Sequence, residues 1–138
     1  MTALRFLPPL VWTGCIAWFS SDAWSAARTG ARLLPLLHAL LPWAAPEQLE
    51  ALHWLIRKTA HLLEYAILAG LWLRALARSA KTAGWRLPLA LSLVTAALDE
   101  LHQSTTLTRG GSAADVLLDV VGAAAALVAL KGRAARLP

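Results

Sequence analysis

The chain has 138 residues, enough for one packed unit, and 58% of them are hydrophobic against 15% charged. Soluble domains carry roughly 45–50% apolar and about 25% charged residues. A mean hydropathy of +0.55 therefore excludes an ordinary soluble globule and points to an all-α protein with lipid as its solvent. The net charge of +5 does not indicate nucleic acid, because the basic residues sit at the ends of apolar runs and form no patch on a water-exposed surface.

Four apolar runs predict a four-transmembrane-helix bundle within a single membrane domain covering 1–138, with spans at about 4–20, 59–77, 87–102 and 115–131. Each run is short for a hydrocarbon core roughly 30 Å thick. The polar ends of the helices must then lie close to the acyl boundary. The first run has a basic residue before it, Arg5, and small residues after it at Ser25–Ala27, as a signal peptide would. Pro8, Pro9, Trp12, Trp18 and Phe19 favour a retained anchor. Cys15 lies inside this run and, as the only cysteine, forms no intramolecular disulfide.

The longest connection, Ser20 to Lys58, contains Leu33–Leu41 with Trp43 beyond it, and Pro46 then opens a second helical stretch. Its leucines are too few to span, and they predict an interfacial or re-entrant helical segment between helices one and two. Pro88 in a first turn opens the third span. Ser112 and Asp115 predict a relative of the capping box at the start of the fourth, which continues through the small residues of 122–126 that allow close helix packing in lipid.

Eight basic residues, Arg5, Arg74, Arg78, Lys81, Arg86, Lys131, Arg133 and Arg136, fall on one side of this arrangement, and the other five fall opposite. The positive-inside rule then places both termini in the cytoplasm. All eight acids and all four histidines fall on the other, extracytoplasmic side. Acids contribute little to orientation, so their segregation points to a functional surface of the cell envelope.

Three patterns converge there. Arg57, Lys58, His61, Glu64 and Tyr65 share neighbouring faces of the second span. Asp99, Glu100, His102 and Gln103 end the third. Arg109 precedes a Gly-Gly turn, and Asp115 and Asp119 lie on one stripe of the fourth. Charges near hydrocarbon cost roughly 2.5–3.5 kcal/mol each at a helix centre, so these twelve residues are expected to face one another as a ligand-binding cluster. An ion-pair cluster that only ties helix ends together is the structural alternative. Arg109 at a helix N-terminus with Arg57 and Lys58 fits an anionic lipid headgroup or a carboxylate. The acids and histidines alternatively supply ligands for a divalent metal and a general base, although the spacing matches no zinc signature. No serine hydrolase or phosphate-loop signature is present, and no cofactor is indicated.

Arg57-Lys58-x-x-His61-x-x-Glu64-Tyr65, and Asp99-Glu100-x-His102-Gln103 followed by Arg109, Asp115, Asp119 and Gly122, resemble the two longer motifs of the VanZ-like family of small bacterial membrane proteins. Phe19-Ser20-Ser21 is similar to that family's first-loop start, so the resemblance covers nearly the whole chain. Residues 104–108 lack the aromatic and Pro-Gly that members often have. The resemblance implies a four-helix membrane protein and an association with resistance to teicoplanin, a glycopeptide acting at the outer cell surface. The expectation is a protein of the lipid bilayer binding a lipid-linked or glycopeptide-like ligand. The alternatives are a membrane-embedded hydrolase or transferase using Glu64, Asp99 or Asp119, with a metal, and a helper subunit of a larger envelope complex.

Overall fold

A computed structural model describes residues 3–77, 84–106 and 110–134. Among them are five α-helices and no strand: α1 (Leu7–Phe19), α2 (Ala26–Leu40), α3 (Pro46–Leu76), α4 (Arg86–Ser104) and α5 (Ala113–Ala134). Arg78, Lys81, Arg109 and Arg136, used above for orientation or for the site, lie outside the described residues.

The helix ends follow from local chemistry. Ser25 precedes α2, and its hydroxyl accepts the Arg28 N–H at 3.4 Å. The Ala45 N–H ahead of α3 donates to the Gln48 side chain at 2.9 Å, while Pro46 occupies the first turn, where an N–H has no partner to lose. Pro88 likewise falls in the first turn of α4. At α5 the expected capping box is replaced. The Ser112 N–H, which such a box would give to Asp115, donates instead to Glu100 Oε2 at 2.6 Å, and Asp115 turns to Lys58.

The stretch opened by Pro46 and the second predicted span are one helix. No Gly or Pro interrupts the chain from Glu47 to Ala69, and the hydrogen-bonded ladder passes Arg57-Lys58 without ending. At about 1.5 Å per residue the 31 residues of α3 extend about 46 Å. This helix is the hub, touching α1, α2, α4 and α5, with its longest contact against α5. That contact is close because Gly122 lacks a side chain: a Cβ there would lie 2.4 Å from the Leu62 carbonyl oxygen.

The core between α1, α3, α4 and α5 is built of Ile16, Tyr65, Leu68, Ala69, Ala96, Ala123 and Leu127. Three of these seven are alanines, while many large apolar side chains point outward: Leu63, Leu98, Leu117 and Val128 are 57%, 60%, 64% and 73% exposed. Burial in a water-soluble bundle runs the other way. Among the described residues, one helix, over Ala113–Lys131, is both long and apolar enough to cross a membrane, and Ala3–Phe19 is apolar but shorter. The ionisable residues in α3 and at the end of α4 lower the hydropathy of those two helices.

Candidate functional site

Two rungs join α3 to α5. Lys58 Nζ pairs with Asp115 Oδ1, and one turn deeper His61 Nδ1 faces Asp119 Oδ1 at 3.4 Å. The spacings correspond, since Lys58 and His61 are three residues apart on one helix while Asp115 and Asp119 are four apart on the other. Asp119 has no exposed surface, and neither of its carboxylate oxygens has a partner at hydrogen-bonding geometry. The Tyr65 hydroxyl, also on the buried face of α3, has none either. Such buried polar atoms without a partner are rare.

The end of α4 closes a second side. Gln103 Nε2 donates to Asp99 Oδ2 at 2.8 Å and to Ser20 Oγ at 3.4 Å, fastening α4 to the end of α1. Glu100 Oε2 holds the Ser112 N–H, and its other oxygen is buried without a hydrogen-bond partner. Gly111 permits this contact, because a Cβ there would come within 2.7 Å of the Glu100 carbonyl oxygen. The requirement is therefore close approach.

Arg57 points to a third side. Its Nη1 donates to the Trp24 carbonyl at 2.9 Å and to Thr29 Oγ1 at 3.0 Å, and Thr29 Oγ1 also meets His53 Nε2 at 3.1 Å. Burial lowers the Arg57 guanidinium from its ordinary value, while Asp115 and Glu64 work to keep it protonated. Burial and then the positive charge of Arg57 lower the His53 imidazole. Gly30 leaves room for that ring, since a Cβ there would stand 3.3 Å from it.

The predicted face of the second span thus divides. Lys58, His61 and Tyr65 turn toward α5 and the core, whereas Arg57 turns toward α2. The half-buried Glu64 accepts the Trp12 indole N–H on its backbone carbonyl at 2.9 Å. His102 departs from the cluster: it is exposed and lines a small cleft with Thr13, Ile16 and Thr95. Ser20, Trp24, Thr29, His53 and Ser112 enter the site without having been singled out for it in the sequence. Only His53, one turn ahead of Arg57, carried a periodic signal; the others act through a loop, a backbone group or a different helix.

Two clefts open on the cluster. One of about 340 Å³ is lined by Phe19, Trp24, Leu33 and Ile56 as well as by Arg57, His61 and Glu64. The other, of about 190 Å³, is lined by Trp54, Lys58, Gln103, Gly110 and Asp115, again with Arg57 and His61. Arg57 and His61 therefore stand on the wall between an apolar-sided cleft and a polar one. Among the described residues no three of His, Cys, Asp and Glu are grouped to hold a metal ion.

Comparison with curated proteins and with solved structures gives no match for the chain. The VanZ/LLP1 family model matches residues 6–134, a span that contains both clefts and every residue of the cluster. This chain belongs to the VanZ/LLP1 family.

Proposed function

We propose that this family member is a four-span protein of the bacterial cytoplasmic membrane, with both termini cytoplasmic, that binds an amphiphilic envelope ligand, lipid-linked or glycopeptide-like, at its extracytoplasmic cluster. The outward-facing apolar residues of α3, α4 and α5 support the membrane setting, and the one-sided basic residues support the orientation. The observation that carries the binding reading is the shared wall. A ligand with a chain and a polar head can lay the chain along Phe19, Leu33 and Ile56 while its head reaches Arg57 and His61. Arg57 supplies a fixed charge for a phosphate or carboxylate. The buried acids accept hydrogen bonds from hydroxyl or amine groups.

Binding of teicoplanin and of a polyprenyl phosphate to the purified full chain tests this reading. Arg57→Ala should weaken at least one of them about tenfold, or roughly 1.4 kcal/mol, and added salt should reduce the difference. Unchanged affinity for both probes would refute it.

A second reading, a membrane-embedded hydrolase or transferase acting on an envelope lipid, is favoured by the His61–Asp119 pair, in which a buried carboxylate faces an imidazole at the rim of both clefts. Its metal-dependent form requires stoichiometric bound metal and a thermal shift on adding EDTA. The absence of both eliminates that form.

A further inference from the structure

The opposite end of the molecule carries a larger groove, of about 570 Å³, between the start of α1 and the last turns of α3. Its volume falls within the roughly 300–1,000 Å³ of small-molecule sites. Leu4, Pro8, Leu71 and Ala75 form apolar walls, and two guanidinium groups, Arg5 and Arg74, stand among them.

These cations have no counter-charge of their own. No Asp or Glu occurs in residues 1–21, 65–98 or 120–138, and neither arginine forms an ion pair among the described residues. Arg5 is also held in place. Its guanidinium carbon lies 4.8 Å from the centre of the Phe6 ring, which in turn packs on Trp72 of α3 with centroids 6.4 Å apart. Stacking on an aromatic face suits guanidinium and fixes the direction of its donors. Arg5 Nε is nevertheless buried with no hydrogen-bond partner. A buried, oriented charged donor favours an acceptor by about 1–3 kcal/mol or more, and this groove is where an anionic group would reach it.

We propose that the groove binds an acidic phospholipid of the cytoplasmic leaflet, with its phosphate between Arg5 and Arg74 and the beginning of an acyl chain along Leu4, Pro8 and Leu71. The site is separate from the outer clefts and rests on the membrane reading given above. Arg74 alone is accounted for by its position in the last turn of α3, where the helix dipole favours a cation. Arg5 has no such role, and the joint placement of both residues around one apolar groove is what a headgroup requires.

The test uses the purified full chain in detergent, with phosphatidylglycerol and phosphatidylcholine adducts counted by soft-ionisation mass spectrometry. Wild type should retain phosphatidylglycerol preferentially. Arg5→Gln with Arg74→Gln should lower that affinity about tenfold, leave phosphatidylcholine adducts unchanged, and leave teicoplanin and polyprenyl phosphate binding as in wild type. Arg5→Lys with Arg74→Lys, which keeps both charges but removes the stacked, oriented donors, should bind phosphatidylglycerol more weakly than wild type and still prefer it to phosphatidylcholine, even if the Gln pair folds poorly. Equal binding of the two lipids by wild type or by the Lys pair, or an undiminished preference in a folded Gln pair, overturns the proposal. Cysteine labelling in cells tests the orientation separately, so failure of the lipid site and failure of the membrane reading are distinguishable.

Discussion

Asp119 and His61 depend on one another in a way that their neighbours do not. Lys58 and Asp115 are each partly exposed, and water can cover the loss of either. Asp119 is fully enclosed, so removing His61 leaves a carboxyl group without its nearest polar contact. His61→Leu and Asp119→Leu should each cost about 3 kcal/mol, the scale for breaking a buried pair, while the double variant should recover much of the loss. Melting in detergent measures this, and simple additivity would show that the two do not act as a pair. His53 gives a pH signature. Because the fold favours its neutral form, the unfolded chain takes up a proton near 6.5 where the folded chain does not. Stability is therefore full above about pH 6.5 and falls as the pH drops through that value toward the lower folded one. The melting midpoint should drop between about pH 7.5 and about pH 5.5, and His53→Gln should flatten the drop. The stripes that carry the rungs on α3 and α5 were legible in the sequence because their spacing can be counted, but not which residue of one helix meets which of the other. The Arg57–Thr29–His53 group was not, since Thr29 reaches Arg57 only once α2 has folded back on α3.

At the scale of the helices, glycine placement is decisive. Gly122→Ala would drive a methyl into the Leu62 carbonyl, a backbone atom that cannot rotate away. It should cost about 1–3 kcal/mol, whereas Gly14→Ala, with open space around it, should be neutral or slightly stabilising. Equal melting midpoints for the two variants would contradict the close packing of α3 on α5. The existence of the helices was readable from apolar spacing and the prolines, although Leu33–Leu41 marked only the second half of α2. The length of α3 was not, because the charged residues at 57 and 58 end the apolar run without ending the helix. The start of α5 after Ser112 was readable, but the partner of the Ser112 N–H was not, for a related reason. Ser-x-x-Asp is a local pattern, and Glu100 from another helix competes for the same N–H.

For the molecule as a whole, the extent of exposed apolar surface is the main physical fact: large leucines and valines of α3, α4 and α5 face outward around a small core. In a Cys15-free background, single cysteines at Ser79 and Ser104 should divide in intact cells, with a membrane-impermeant thiol reagent labelling only the second. Labelling of position 79 alone would invert the proposed orientation. Composition alone foretold this outward apolar surface, whereas the two clefts sharing Arg57 and His61 required α1, α2 and α5 to be assembled around α3. One dimension of α3 has a mechanical consequence. Arg57 and Arg74 are seventeen residues apart on a single unbroken helix, which sets them about 26 Å apart along its axis, close to the thickness of an acyl layer of roughly 27–30 Å. The protein is in this sense a calliper with rigid jaws. In the proposed topology, an acyl layer of that thickness sets both arginines at its two boundaries together, and in a much thicker one, gripping one leaflet would pull the helix away from the other.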